Sequence, residues 1–400
     1  MAEEAEIRVA INAQLVSFGQ TYRNAGVSRY TAMLLGGLSA LADELDGPED
    51  ARNMRFTAFF NPSELTAAQA SSLGRSPHMA LRAGRWPTSH PAQRILWEHL
   101  ALPGELRRIG AQVFHAPVNV LPLRHLPCPS VLTVHDLAFL RYPQYFRPSR
   151  RLYQRTLTRR SVRAASQIVA VSASTRRDLI ELLGVDPARI HVIHPCIADD
   201  FRPQPDPTAL AAFRATHNLS DSYILFLGTL EPRKNLDTLL QAYAQARAAE
   251  SDLPPLVIAG ARGWYEQPFF ARVRALGLER DVRFVGYVAR EEQPLWYAAA
   301  SLFVYPSVYE GFGLPVVEAL ACGVPTITTN VSSLPEAGGS LALQVAPDDS
   351  KKLAYVMREA LRDSRLRSRV LVEGPMWAQA FSPRRMARQY VEVYRTARAR

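Results

Sequence analysis

The sequence has few cysteines and no long apolar run. Cys128, Cys196 and Cys322 lie 68 and 126 residues apart, so no pair has the spacing of a CxxC redox or metal motif. No apolar stretch approaches the roughly 18 residues that a membrane-spanning helix needs, and the first residues are acidic and polar. We therefore expect a protein of a reducing cytoplasm that is neither secreted nor integral to a membrane.

Lysine is also scarce, although the chain is basic. Lys234, Lys351 and Lys352 are its lysines, so arginine supplies the rest of the 47 basic residues and most of the net charge of +10. Such a charge suits nucleic acid, an anionic membrane or a polyanionic substrate. Because zinc-finger, RNP and helix-turn-helix motifs are missing, we expect no nucleic-acid partner.

Arginine is concentrated in one segment, residues 141–163, which has eight arginines and no acidic residue. Tyr142, Tyr145, Phe146 and Tyr153 are interleaved with them. Arginines mixed with aromatic residues are typical of a surface that rests on anionic lipid headgroups. The alternative is a solvated helix face. The hypothesis for localisation is thus the cytoplasm, with peripheral attachment to the inner face of the membrane.

Short β-branched runs alternate with amphipathic segments, the pattern of parallel sheets covered by helices on both faces. Three prolines, at 203, 205 and 207, stop regular structure and mark a linker between two halves. We predict an α/β protein with two Rossmann-like domains, residues 1–200 and 201–375, and a C-terminal helix over 376–400 that packs on the first. The predicted strands span residues 7–11, 55–60, 112–115, 130–134, 167–171, 191–193, 223–227, 256–259, 282–285, 302–305 and 326–328.

The most informative stretch is residues 305–318, which contains two glutamates eight residues apart. Glu310 follows the strand predicted at 302–305, and Glu318 falls inside the helix that Pro315 opens. Gly311 and Gly313 let the backbone approach a ligand closely, and the free N–H groups at the helix start suit an anion. This pattern predicts a site for a phosphate-bearing ligand. The alternative is a tight turn flanked by one surface glutamate and one helical glutamate.

A second signal is the pair Arg233 and Lys234, again between a strand and a helix. Ligands of open α/β sheets bind outside the carboxyl ends of the strands, so these cations can neutralise a pyrophosphate there. The alternative is a solvated basic turn.

Together these stretches resemble the family 4 retaining glycosyltransferases, whose signature is two glutamates separated by seven residues, with a basic pair after the first strand of the second domain. In the first half the resemblance rests on residues 24–30, 133–137, 170–175 and 194–197. It implies the GT-B fold, in which an acceptor-side domain and a nucleotide-sugar-binding domain face an interdomain cleft. The family's arginine shortly after the strand glycine is missing, because Thr229 follows Gly228. Arg233 and Lys234 are left to hold the diphosphate.

The resemblance implies roles for single residues. Glu310 would orient the transferred sugar and Glu318 would hold the ribose, while His135 would face the sugar's outer hydroxyls. The candidate catalytic residues are Glu310, His135, Arg233 and Lys234. The candidate donor-binding residues are Gly26, Val27, Arg233, Lys234, Tyr287, Val288, Glu310, Gly311, Phe312, Gly313, Leu314 and Glu318. Of these, Gly26 and Val27 would close over the phosphates, whereas Tyr287 and Val288 would contact the base through their backbone. The alternative for His135 is a histidine that caps a strand end. The alternative for Gly26 is an ordinary helix start.

The resemblance is closest to the mannosyltransferase branch that builds surface polysaccharides. It implies transfer from GDP-mannose, with UDP-linked hexoses as the alternative, to a glycan or lipid-linked acceptor, with retention of the anomeric configuration. We expect no cofactor and no metal, because an Asp-x-Asp motif is missing and cations already stand at the strand end.

The sequence leaves two other classes of function as alternatives. A Rossmann oxidoreductase needs Gly-x-Gly-x-x-Gly after a strand, but the third glycine is missing after Gly311 and Gly313. A catalytically silent sugar-nucleotide or glycan-binding protein would retain the fold and lose the phosphate or sugar contacts. The residues expected to be lost, Glu310, Arg233 and Lys234, are present.

Overall fold

A computed structural model describes residues 6–19, 26–44, 49–84, 86, 88, 90–204, 206–263 and 265–399. Asn24 and Ala25 of the predicted glycine loop lie outside these residues. The chain divides into two compact units. The first comprises the chain up to Cys196 together with the segment from Pro383, and the second is Ile197–Ser382. The sequence had set the boundaries at 200/201 and 375/376.

The first unit is built on a seven-stranded parallel sheet. Its strands are β1 Ile7–Ala13, β2 Met54–Phe60, β3 Met79–Ala83, β4 Val113–Ala116, β5 Ser130–Val134, β6 Gln167–Ala170 and β7 Ile190–Val192. They lie in the order β3-β2-β1-β4-β5-β6-β7. β4, β5 and β6 are buried along their whole length, as expected when helices cover both faces of a parallel sheet.

Nine helices within the described residues belong to this unit. They are α1 Val27–Asp43, α2 Glu49–Arg52, α3 Pro62–Ala70, α4 Pro91–Leu100, α5 Leu102–Arg108, α6 Ala138–Arg141, α7 Pro148–Ala164, α8 Ala173–Leu183 and, from the end of the chain, α17 Pro383–Arg398. Local signals explain α8. The hydroxyl of Ser172 accepts a hydrogen bond from the Thr175 N–H at its start, and Gly184 ends it in the left-handed conformation with φ 65°.

Helix α17 packs closely against α1. A Cβ on Gly37 would lie 2.6 Å from the Pro383 carbonyl oxygen, so only glycine allows this approach. Two tyrosines of α17 enter a buried polar network. Tyr394 and Thr133 hydrogen-bond the two ring nitrogens of His115, each at 2.8 Å, and Thr133 also bonds the Tyr390 hydroxyl at 2.7 Å. These bonds tie the last helix to β4 and β5.

The second unit repeats the plan with six parallel strands in the order β10-β9-β8-β11-β12-β13. The strands are β8 Ile224–Leu227, β9 Leu256–Ala259, β10 Val282–Gly286, β11 Leu302–Tyr305, β12 Thr326–Thr329 and β13 Leu343–Val345. The helices are α9 Pro207–Thr216, α10 Leu236–Ala249, α11 Glu266–Ala275, α12 Gln293–Ala298, α13 Leu314–Ala321, α14 Leu334–Gly338, α15 Ser350–Arg362 and α16 Ser364–Ala378.

The predicted α/β class with two doubly wound parallel sheets is confirmed, and every predicted strand overlaps a strand of the structure. Two strands were missed, β3 and β13. Both are edge strands, and β13 has only three residues. β3 lies in a stretch rich in Ala, Ser and Pro, a composition that gives no clear strand pattern. Among the described residues, no helix is both long and apolar enough to span a bilayer.

Candidate active site

The basic pair and the first glutamate meet where the strand order of the second sheet reverses. β8 and β11 are neighbours there, although β9 and β10 separate them along the chain. Arg233 and Lys234 lie in a 3-10 turn, Pro232–Lys234, after β8, and Glu310 lies in the loop after β11. The Val308 N–H donates to the Arg233 carbonyl at 2.9 Å, which joins the two loops. Open α/β sheets bind ligands at such a reversal.

Glu310 forms two ion pairs in this corner. Its Oε1 lies 2.7 Å from Lys234 Nζ, and its Oε2 lies 2.7 Å from Arg233 Nη1. Lys234 is only 6% exposed and Glu310 only 7%. Glu231, which the sequence analysis missed, accepts a second bond from Arg233 Nε at 2.9 Å. We call Glu231, Arg233, Lys234 and Glu310 the charge cluster. With two acids and two bases, its formal net charge is zero.

Burial and the neighbouring cations shift the pKa of Glu310 in opposite directions. Burial alone would raise the pKa of Glu310, but the charges of Arg233 and Lys234 outweigh it and lower that pKa to about 2. Burial lowers the pKa of Lys234, assisted by the charge of Arg233 and opposed by Glu310. Glu310 is therefore ionised at neutral pH, and its charge offsets part of the desolvation of Lys234.

Tyr305, the last residue of β11, completes the buried side of the cluster. Its hydroxyl accepts a hydrogen bond from Lys234 Nζ and donates to Glu310 Oε1 at 3.1 Å. Lys234 Nζ also lies 4.9 Å from the centre of its ring. The available sequence signal was a polar aromatic residue at the end of a buried strand, directly before the glutamate loop.

Asn235 holds the neighbouring loops together. It adopts φ 58° at the start of α10, a conformation that asparagine tolerates better than most residues. Its side-chain amide donates to the carbonyls of Pro306 at 3.1 Å and Pro347 at 2.6 Å. One side chain thus joins the loops that follow β8, β11 and β13.

The glycine segment after Glu310 leads directly into α13. Gly313 has φ 105°, and a Cβ there would lie 2.8 Å from Leu334 Cδ2. Phe312 is buried against Phe381, with ring centres 5.3 Å apart. Leu314 begins the helix, whose first turn has no side-chain cap. The structure therefore brings Gly311, Phe312, Gly313 and Leu314 together at a helix N-terminus, as the sequence predicted.

Glu318 lies apart from the charge cluster, inside α13. It is 2% exposed, and its Oε2 accepts a hydrogen bond from the Tyr297 hydroxyl of α12 at 3.0 Å. The role in ribose binding stays a prediction.

Glycines occupy the ends of three adjacent strands, at Gly228, Gly260 and Gly286. A Cβ on Gly260 would lie 2.0 Å from the Gly228 carbonyl oxygen, so the backbones approach closely there. Tyr287 and Val288 follow Gly286, and of the two only Val288 is buried. The contact of Tyr287 and Val288 with the base stays a prediction.

In the first unit, Gly26 and Val27 form the start of α1, and His135 directly follows β5. Gly26 has φ 58° and ψ −111°, and its carbonyl accepts a bond from the Tyr30 N–H at 2.9 Å. His135 Nε2 donates to the Pro117 carbonyl at 2.9 Å, which leaves Nδ1 as the acceptor in the neutral ring. Burial lowers the pKa of His135 and favours this neutral form.

Tyr30 connects these residues to the network of α17. Its ring meets the His135 ring edge-on at 4.7 Å, and its hydroxyl hydrogen-bonds that of Tyr390. Nothing in the sequence indicated a role for Tyr30 itself. Within the described part of the chain, no group of three or more His, Cys, Asp or Glu residues is arranged to hold a metal ion.

Two family models match the chain. Glycosyltransferase Family 4 matches residues 56–201, and Glycosyl transferases group 1 matches residues 211–373. The chain is 33% identical over 290 residues to O-antigen chain mannosyltransferase B of Escherichia coli, covering 72% of this chain and 76% of that protein. It is 30% identical over 257 residues to the serotype-specific mannosyltransferase WbdA of Escherichia coli, covering 61% of this chain but only 30% of that protein.

Among solved structures, the chain resembles sucrose-phosphate synthase from Thermosynechococcus elongatus, with a TM-score of 0.73 and 21% identity over 98% of this chain and 99% of that one. This likeness concerns the fold and agrees with the predicted GT-B class. With the two family matches and the first relative, it leads to one conclusion: the chain is a glycosyltransferase that belongs to family 4, the group 1 glycosyltransferases, on its mannosyltransferase branch.

Proposed function

We propose that this chain is a retaining mannosyltransferase that moves mannose from GDP-mannose to a glycan or lipid-linked acceptor during surface polysaccharide synthesis. The observation that carries the proposal is the buried charge cluster at the reversal of the second sheet. The choice of mannose rests on relatives that are named as O-antigen and serotype-specific mannosyltransferases. A UDP-linked hexose is the alternative donor.

The two cations of the cluster suit the departure of a nucleoside diphosphate. As the bond from sugar to phosphate breaks, negative charge grows on the leaving oxygen, and preorganised cations stabilise that charge most strongly in a buried site. Lys234 is a compact point charge, whereas the planar guanidinium of Arg233 is held from two sides by Glu231 and Glu310. In this proposal both contact the diphosphate, so that no metal ion is required.

Glu310 has two successive tasks in this proposal. Without donor it is the counterion of Arg233 and of Lys234, and the buried Lys234 would otherwise lack a compensating charge. When the diphosphate supplies that negative charge, the carboxylate is released to accept hydrogen bonds from the sugar hydroxyls. The same group thus competes with the diphosphate and then orients the sugar for transfer.

We further propose that α7 of the first unit rests on anionic lipid. Leu152 is 65% exposed, and Tyr153, Arg151, Arg155 and Arg163 are exposed beside it. The charges of Arg94 and Glu98 act on Tyr153, so α4 is a neighbour. α4 adds the exposed Leu96 and Leu100. Arg141 takes no part, because it is paired with Asp178 and Glu181 of α8.

The donor is tested by comparing nucleotides. GDP and GDP-mannose should raise the melting temperature more than UDP and UDP-glucose, because a ligand at 100 times its Kd adds about 2.7 kcal/mol. With GDP-mannose and a mannose-terminated oligosaccharide in EDTA, we expect a new α-linked mannose by NMR. A stronger response to UDP would reassign the donor. Activity lost in EDTA and restored by magnesium would refute the proposal of metal independence.

Lys234→Ala tests the contact with the diphosphate. Calorimetry should show that GDP binding weakens about tenfold to a hundredfold, because a charge-assisted bond of ~1.5–3 kcal/mol is lost, while guanosine binding hardly changes. The exposed Lys351→Ala is the matched control and should bind both ligands like the wild type. Equal weakening for GDP and guanosine would contradict the assignment.

The two glutamates should respond to substitution with opposite signs. Glu310→Gln should strengthen GDP binding by about tenfold, because it removes the competing charge, and should lower turnover by at least about tenfold. Glu318→Gln should instead weaken GDP binding by about tenfold to a hundredfold if the carboxylate holds the ribose. Calorimetry and the unliganded melting temperature should be measured for both. Normal GDP binding by Glu318→Gln, or full turnover by Glu310→Gln, would remove the corresponding role.

Membrane attachment is tested by vesicle sedimentation. We expect binding to vesicles with phosphatidylglycerol but not to pure phosphatidylcholine. The double substitution Arg151→Ser, Arg155→Ser should lower binding roughly 30-fold, at ~1 kcal/mol per arginine. The control removes the same charge from exposed positions of α16, with Arg365→Ser and Arg367→Ser. If the two double substitutions lower vesicle binding equally, the net charge of the protein causes the binding, and the proposal for α7 is wrong.

A further inference from the structure

Four hydroxyl side chains at the end of β12 bind the backbone of the loop that carries Glu310. We call Thr328, Thr329, Ser332 and Ser333 the hydroxyl row. Their contacts are Thr328 Oγ1 to the Tyr305 carbonyl at 2.9 Å, Thr329 Oγ1 to the Ser307 carbonyl at 2.6 Å, Ser332 Oγ to the Glu310 carbonyl at 2.6 Å, and Ser333 Oγ to the Glu310 and Phe312 carbonyls at 2.9 and 2.8 Å. The carbonyls of residues 305, 307, 310 and 312 thus accept hydrogen bonds from one neighbouring segment.

Ser332 makes the most specific of these contacts, because it holds Glu310 from both sides. Its hydroxyl donates to the Glu310 carbonyl and accepts from the Glu310 N–H at 3.1 Å. It does so with φ 58°, a left-handed conformation that serine rarely adopts. Such strain persists only where surrounding contacts determine the backbone, and it is most frequent at functional sites.

Ser333 departs from a second local rule. It is the residue before α14, where a serine hydroxyl ordinarily caps the first N–H groups of the helix. The Ser333 side chain makes no such cap, because its hydroxyl faces the Glu310 and Phe312 carbonyls. Ser332 thus adopts an unfavourable backbone conformation and Ser333 makes no helix cap, and both side chains bind the Glu310 loop instead.

We propose that the hydroxyl row sets the position of the Glu310 carboxylate for transfer, with Ser332 as its main positioning residue. The inference rests on the function proposed for Glu310. The carboxylate must reach Lys234 and Arg233 at 2.7 Å each, so a small shift of the Glu310 backbone breaks one or both contacts. A displacement of about 1 Å at a reacting group can lower a rate a hundredfold. Ser332 contacts the two backbone groups that determine where this side chain starts.

Two substitutions of Ser332 separate positioning from stability. Both Ser332→Ala and Ser332→Gly remove the hydroxyl, but only glycine accepts φ 58° without strain. We expect Ser332→Gly to melt at a higher temperature than Ser332→Ala, while both lower kcat for GDP-mannose by roughly tenfold or more without raising KM. Asn218→Gly is the control, since Asn218 has φ 50° and lies after α9. It should retain the kcat of the wild type.

A second measurement does not depend on activity. With carboxyl-labelled glutamate, NMR should show Glu310 ionised down to pH 4 in the wild type, in keeping with its pKa of about 2. In Ser332→Gly the pKa of Glu310 should be raised, because a displaced carboxylate loses its cations but stays buried. Wild-type kcat with unchanged titration in Ser332→Gly would overturn the inference. Full turnover by Glu310→Gln would instead overturn the proposed role of Glu310, and the titration would still decide whether Ser332 positions it.

Discussion

The burial of Lys234 beside the partly buried Arg233 is the constraint on which the candidate site of the second unit depends. A charge removed from water costs several kcal/mol unless a counterion and hydrogen bonds compensate it. Glu310 provides this for Lys234 and Arg233, and Glu231 adds a second carboxylate for Arg233. The pKa of Glu310, about 2, lies below its ordinary value of 4.5. Its ionisation therefore stabilises the folded unit above pH 4.5, and this contribution is lost as the pH falls from 4.5 toward 2.

A parallel sheet brings such groups together but leaves the loops at its edge without strand partners. Buried backbone N–H and carbonyl groups must nevertheless be paired. Asn235 and the hydroxyl row provide the partners in the second unit. In the first unit, two tyrosines of the last helix make comparable side-chain bonds. Tyr390 hydrogen-bonds Thr133, and Tyr394 hydrogen-bonds the ring of His115. Side-chain hydrogen bonds thus supplement the regular secondary structure around Glu310 and connect the last helix to β4 and β5.

Much of the site could be predicted because its signals are local. Glu310, Gly313 and the start of α13 follow one another within a few residues, and Arg233 and Lys234 are adjacent. Ser332 and Ser333 were missed because their hydroxyls belong, by local preference, to turns and helix caps. Glu231 was missed because nothing in sequence indicates which carboxylate near a basic pair will face it. β3 was missed because an edge strand is only partly buried and lacks a clear apolar pattern.

The sequence by itself determined two doubly wound sheets, their approximate strand positions and the chemical types that stand at the strand ends. Periodicity and turn residues are properties of short segments, which is why they can be read directly. Only the tertiary structure decided that Glu310 neutralises Lys234, 76 residues away, and that the hydroxyl row holds the loop that carries Glu310. The first pairing follows from the reversal of strand order, which makes neighbours of β8 and β11, and the second follows from the pairing of β11 with β12.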